Sequence, residues 1–126
     1  MTVAKKSVLI LDCAEPAELA GFYASFLGAE TRVGTDPDLV EVVGHAGTHL
    51  AIRRDHGHAP ASWPRPESSQ QAHLRITVSQ GEIDEAEREA IALGARPLDT
   101  KDNGGPRDTR IYSDPAGHPF TLAVLR

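Results

Sequence analysis

Cysteine occurs once in the 126 residues, as Cys13, so no disulfide can form within the chain. Packing and hydrogen bonds must hold the fold, and a reducing, cytoplasmic location is the expectation. At the end of an apolar run, that single thiol reads as a small core residue rather than a nucleophile. Basic residues are in deficit. Thirteen Lys and Arg face 18 Asp and Glu, a net charge of −5, which argues against the clustered cations a nucleic-acid surface requires. No apolar stretch approaches the ~20 residues that a membrane helix needs. The opening "MTVAKKSVLILD" is too short in its apolar part, and too soon followed by Asp12, to serve as a secretory signal. Tryptophan also occurs only once, as Trp63. What remains is ordinary globular composition, 40% hydrophobic and 25% charged, with room for one domain over residues 1–126.

The chain contains the same pattern twice. "VLILDCAEPAELAGFYASFLGAE" starts at Val8 and "HLRITVSQGEIDEAEREAIALGAR" starts at His73. Each reads as a strand, a short break, a helix and then Leu-Gly-Ala, with Gly28 and Gly94 at the helix C-terminal caps. Pro16 suits a first helical turn, and Glu15 and Glu18 suit the positive end of the helix dipole. Leu19, Phe22, Tyr23, Phe26 and Leu27 form the apolar stripe of the first helix. Ile83, Ala86, Ala90, Ile91 and Leu93 form a weaker one in the second, whose acidic face offers Asp84-Arg88 and Glu85-Arg88 pairs. Strand candidates follow each helix: "ETRVG", "DLVEVV" and "THLAIRR" after the first, "ARPLD", "TRIYS" and "HPFTLAVL" after the second. The fold class is therefore α+β, two tandem βαβββ modules over about 5–54 and 71–126, joined by a Pro-, Gly- and Ser-rich linker at 55–70.

Alternation assigns the strand faces. Leu9, Leu11 and Cys13 share one face, Val8, Ile10 and Asp12 the other; Leu74, Ile76 and Val78 stand opposite His73, Arg75 and Thr77. In the closing strands Leu50, Ile52, Phe120 and Leu122 read as helix-side residues. His49, Ala51, Arg53, Pro119, Thr121 and Ala123 read as the other face. Two such sheets, each with a helix behind it, can form a cup-shaped cleft between their mixed faces.

In this order and spacing, "FYASFLGAE", "ALGAR" and "DPAGHPFTL", with the linker and strand "WPRPESSQQAHLRITV", resemble the vicinal oxygen chelate superfamily. That superfamily contains the glyoxalase and bleomycin-resistance proteins, and the likeness, over about residues 5–125, is to its glyoxalase-like domain branch. The resemblance implies a cup of two βαβββ modules, a tendency to homodimers and, in the family's enzymes, a divalent metal in the cup. Its ligands come from the first residue of each module's opening strand and from one residue of each closing strand. Those four positions fall on Val8, Ala51, His73 and Thr121. Val and Ala offer no donor and Thr a poor one, whereas a divalent ion wants three or more His or carboxylate ligands. An improvised set of Asp12, His49 and His73 would require a displaced metal. His45, His56, His58 and His118 fall in turns or the linker. The expectation is a protein without a metal or other cofactor.

A cup without a metal becomes a largely apolar pocket with a few placed polar groups, the usual form of a small-molecule site. Its expected ligand-binding residues are Asp12, His49, Arg53, Trp63, His73, Arg75, Thr77 and Thr121. Trp63 can stack on a planar ligand or plug the seam between modules, and Arg53 and Arg75 can clamp an oxyanion or pair with acids such as Asp12. His73 is the candidate catalytic acid or base. The primary reading is a glyoxalase-like small-molecule-binding protein, forming a homodimer and engaging neither nucleic acid nor membrane. An isomerase or lyase acting on a small oxygenated metabolite through His73, and an assembly module with no ligand, stand as alternatives.

Overall fold

A computed structural model describes residues 3–5, 7–55, 72–98 and 108–124. The chain divides into two compact units, Met1–His58 and Ala59–Arg126.

The first unit runs β1 (Leu9–Cys13), α1 (Pro16–Leu27), β2 (Glu30–Val33), β3 (Leu39–Val43) and β4 (His49–Arg54). The second runs β5 (Leu74–Val78), α2 (Ile83–Ala92), β6 (Arg96–Pro97), β7 (Thr109–Ser113) and β8 (Pro119–Val124). Each is a βαβββ module. The sheet orders, β1-β4-β3-β2 and β5-β8-β7-β6, are the same arrangement twice. In both, the opening strand pairs in parallel with the closing strand, Leu9 beside Leu50 and Leu74 beside Phe120. The other pairings are antiparallel.

Local sequence accounts for the helix limits. Pro16 takes a first-turn position, where its missing N–H costs nothing. Gly28 ends α1 in the left-handed region at φ 64°, its N–H bonded to the Ala24 carbonyl. The second helix ends differently: Leu93 is its cap in the right-handed region, and Gly94 turns the chain one residue later at φ 116°. In α1 the stripe buries Leu19, Phe22 and Tyr23, with Phe26 stacked on Phe22 at 5.9 Å between ring centroids. In α2 only Ile83, Ala86 and Ala90 are buried. Ile91 and Leu93, expected on the stripe, are 44% and 37% exposed, because Ile91 sits about 100° around the helix from the buried Ala90 and Leu93 lies past the last helical residue.

The strand faces follow the alternation. Val40, Val42, Leu50 and Ile52 form the buried layer under α1. Phe120, Leu122 and Tyr112 do so in the second unit, Tyr112 and Phe120 stacking at 5.4 Å. Cys13 is buried, as a small core residue should be.

The helix-side face of the second sheet also carries charge. Arg110, 8% exposed, donates to Asp84 Oδ1 at 2.7 Å and to Glu87 Oε2 at 3.2 Å, and the Tyr112 hydroxyl donates to Glu87 Oε1 at 2.6 Å. These bonds tie α2 to β7. The expected Asp84-Arg88 and Glu85-Arg88 pairs are not among the ion pairs of the described residues. Asp84, itself exposed, bonds the buried Arg110 guanidinium, while Arg88 adds only a longer-range attraction of the weak, surface kind. Burial opposes the charge on Arg110, but Asp84 and Glu87 outweigh it and hold the guanidinium protonated. The same contact with Arg110 keeps Asp84 below the usual carboxylate range.

Burial, reinforced by the bond to Glu87, raises the Tyr112 hydroxyl well above an ordinary phenol. The folded state thus favours the neutral phenol. That contribution is complete below the unfolded tyrosine value near 10 and is lost as pH climbs past it. The wild-type protein is therefore expected to lose more stability between about pH 10 and 12 than Tyr112→Phe does, read as urea midpoints across that range. Equal losses in the two proteins would mean that this phenol is not held neutral by the fold.

Candidate functional site

Of the expected site residues, Asp12, His49, Arg53, Arg75, Thr77 and Thr121 lie on strands, where register fixes their neighbours. In the first unit Ile10 pairs with Ala51 and Asp12 with Arg53 across β1 and β4. Across β3 and β4, Glu41 stands opposite Ala51, and Val43 opposite His49. Asp12, Glu41, His49, Ala51 and Arg53 therefore share one face.

Asp12 and Arg53 meet directly: Arg53 Nε donates to Asp12 Oδ1 at 2.7 Å. That hydrogen bond and the carboxylate's charge raise the Arg53 guanidinium above its already high value. The ion pair is the second of the two roles open to Arg53. It leaves Asp12 acting as a partner for an arginine, and both side chains keep about half their surface in solvent, 41% for Asp12 and 52% for Arg53.

His49 is less exposed, its side chain 21% accessible. Its Nε2 is buried and makes no hydrogen bond. Glu41 Oε1 lies 3.5 Å from that nitrogen, within ion-pair range should the imidazole be protonated, but outside hydrogen-bond geometry. Sequence reasoning omitted Glu41. The signal was available, since Glu41 interrupts "LVEVV" at the position that alternation sends to the face away from α1.

In the second unit Arg75 pairs with Thr121 and Thr77 with Ala123 across β5 and β8. Ile111 borders Thr121 from β7. His73 stands immediately before β5 and is exposed. Thr121 is 6% exposed, on a strand buried along its whole length. The residues expected to stand where the family holds metal ligands are equivalent by register. Val8 precedes Leu9 as His73 precedes Leu74, and Ala51 follows Leu50 as Thr121 follows Phe120. One imidazole and one hydroxyl are the only side-chain donors of this set, which does not fit a divalent cation. Among the described residues, no group of three or more His, Cys, Asp or Glu side chains is placed to hold a metal ion.

The remaining histidines have local surroundings. His45 is exposed in the β3–β4 turn, which closes through Gly44 N–H to the Thr48 carbonyl at 3.0 Å. His118 Nδ1 lies 3.1 Å from Asp114 Oδ2, and the buried Asp114 carboxylate accepts the backbone N–H groups of Ala116 and His118. That arrangement knits the turn before β8. Trp63, His56 and His58 lie outside the described residues. A recess of about 430 Å³ lies between the end of β5 and α2, lined by Thr77, Ser79, Glu82, Glu85 and Glu89 with Val78 and Ala86. Its acidic walls lack the apolar body of a typical ligand cavity.

Comparison with known proteins sets this geometry in context. The profile of a family described as "Glyoxalase-like domain" matches residues 8–123. No curated protein matches the sequence. Among solved structures, a glyoxalase/bleomycin resistance protein/dioxygenase family enzyme from Burkholderia phytofirmans PsJN superposes with a TM-score of 0.72 at 13% identity, over 95% of this chain and 98% of that one. A variant of the fosfomycin resistance protein FosX from Listeria monocytogenes, complexed with Mn(II) and 1S,2S-dihydroxypropylphosphonic acid, gives 0.67 at 18% identity, over 97% and 90%. A hypothetical protein from S. aureus gives 0.70 at 14% identity, over 98% and 100%. At these identities the likeness is one of fold.

Proposed function

The chain belongs to the glyoxalase-like domain family of the vicinal oxygen chelate superfamily, and from that premise we propose that it binds a small molecule without the divalent metal used by the superfamily's enzymes. The observation that carries this reading is the donor set. Val8, Ala51, His73 and Thr121 occupy equivalent register positions and provide a single imidazole. A Thr hydroxyl beside Arg75 suits hydrogen bonding to a neutral or anionic ligand better than holding a cation.

Metal analysis and ligand titration test this together. Purified protein is expected to carry substoichiometric Zn, Ni, Fe and Mn, while the fluorescence of Trp63, the sole indole, changes on titration with planar, oxygenated metabolites. Stoichiometric metal that survives dialysis would refute the metal-free reading. No response to any small molecule would refute ligand binding. An isomerase or lyase centred on His73 is the second reading, favoured by the survival of an imidazole at that position alone. His73→Ala separates the two: as a binding residue, its loss weakens affinity by about tenfold or less, whereas as an acid or base its loss abolishes turnover of a bound substrate.

A further inference from the structure

A buried polar atom without a partner is uncommon in a folded protein, and its presence asks what satisfies it. His49 Nε2 is such an atom. The nearest acidic oxygen, Glu41 Oε1, stands 3.5 Å away, near enough to share a third group with the imidazole and too poorly placed to bond it directly. Register explains how the two side chains meet. Glu41 faces Ala51 and His49 faces Val43, so Glu41 and His49 are diagonal neighbours on the same sheet face, within reach for long side chains. Ala51 supplies only a methyl group at the intervening position.

We propose that Glu41 and His49 form a two-point site for a ligand hydroxyl, be it an alcohol, an enol or a phenol. The hydroxyl donates its proton to the Glu41 carboxylate and accepts from His49 Nε2–H. Because Nε2 is buried, the imidazole must turn outward to admit the oxygen, which then sits about 2.8 Å from each atom. A hydroxyl suits the site because it is donor and acceptor at once. An ether can only accept, and an anion would be repelled by the carboxylate. The Asp12–Arg53 pair lies farther along the same face, with Arg53 Nε already committed. This proposal rests on the small-molecule-binding reading and specifies which group of the ligand the first unit recognises.

The experiment uses the full chain, followed by amide and imidazole NMR, with phenol as the probe and anisole, its methyl ether, as the control. Phenol is expected to shift the His49 ring signals and the amides of β3 and β4, and anisole to leave them in place. Glu41→Leu and His49→Phe are each expected to weaken phenol about tenfold, the scale of one charge-assisted hydrogen bond. The wild-type comparison of phenol with anisole needs no variant, so it decides the matter even if a substitution unfolds the protein. Equal responses to phenol and anisole, or an unmoved His49 ring, would overturn the proposal, the second outcome meaning that water alone fills the gap. Phenol shifts confined to residues 72–124 would overturn it while leaving small-molecule binding intact.

Discussion

Phenylalanine 120 replaced by alanine is expected to destabilise the protein by about 4 kcal/mol. Phe120 is fully buried on β8, between Leu74 on β5 and Tyr112 on β7, and its ring stacks on that of Tyr112. Truncation removes the transfer free energy of the ring and leaves a cavity that a sheet paired on both sides of β8 cannot close. Against a total stability of about 5–15 kcal/mol, that is a large share. Urea denaturation should show the midpoint falling with the slope unchanged. The informative control is the next residue. Thr121 is also buried but points to the opposite face and is small, so Thr121→Ala is expected to cost about 1 kcal/mol. Comparable losses for the two variants would contradict the assignment of faces in this sheet.

Removing Arg110 has the second-largest expected effect, about 2 kcal/mol for Arg110→Ala, the scale of hydrogen bonds to charged groups. The loss has two parts. The guanidinium's bonds to α2 disappear, and Glu87, whose side chain is only 27% exposed, keeps its charge with the Tyr112 hydroxyl as its remaining hydrogen-bond partner among those bonds. The second part predicts a rescue. Arg110→Ala combined with Glu87→Gln removes the charge along with its partner and is expected to recover at least half of the loss, because a half-satisfied buried pair is worse than none. A double variant as unstable as Arg110→Ala would show that the packing of the arginine stem, and not the stranded carboxylate, is what matters.

Much of the fold could be read from residue order because local signals agreed. Pro16 and Gly28 bracket α1. Alternation in "LILDC" and "PFTLAV" separates helix-side from helix-distal residues, and register bears it out. The duplicated spacing made Val8 and His73, and Ala51 and Thr121, equivalent before any coordinates. The polar contacts were less legible. "TRIYS" has one aliphatic residue, Ile111, and hydrophobicity alone would send it toward the helix. Pairing with β8 instead sends Arg110 and Tyr112 there, where α2 meets them with Asp84 and Glu87. A preference written across three elements is invisible to a window along one. The same holds for Glu41 and His49, which become neighbours only once β3 and β4 are in register. Asp12 and Arg53 were both foreseen on one face, but their bond, made across 41 residues, was only one of two readings open to Arg53.

The parallel pairing of β1 with β4, and of β5 with β8, also has a consequence in time. Among the described residues, the opening strand of each sheet lies at an edge and its one strand partner is the last one made. As the polypeptide leaves the ribosome, Leu9–Cys13 must wait for His49–Arg54, and Leu74–Val78 for Pro119–Val124, before either can be zipped in. Loop closure over that distance makes it the slow step of assembling each sheet. The first sheet can complete while the second is still being translated. A ribosome stalled after residue 78 and before residue 119 would leave Leu74–Val78 as an orphan strand, and that nascent species is the one a chaperone would need to shield.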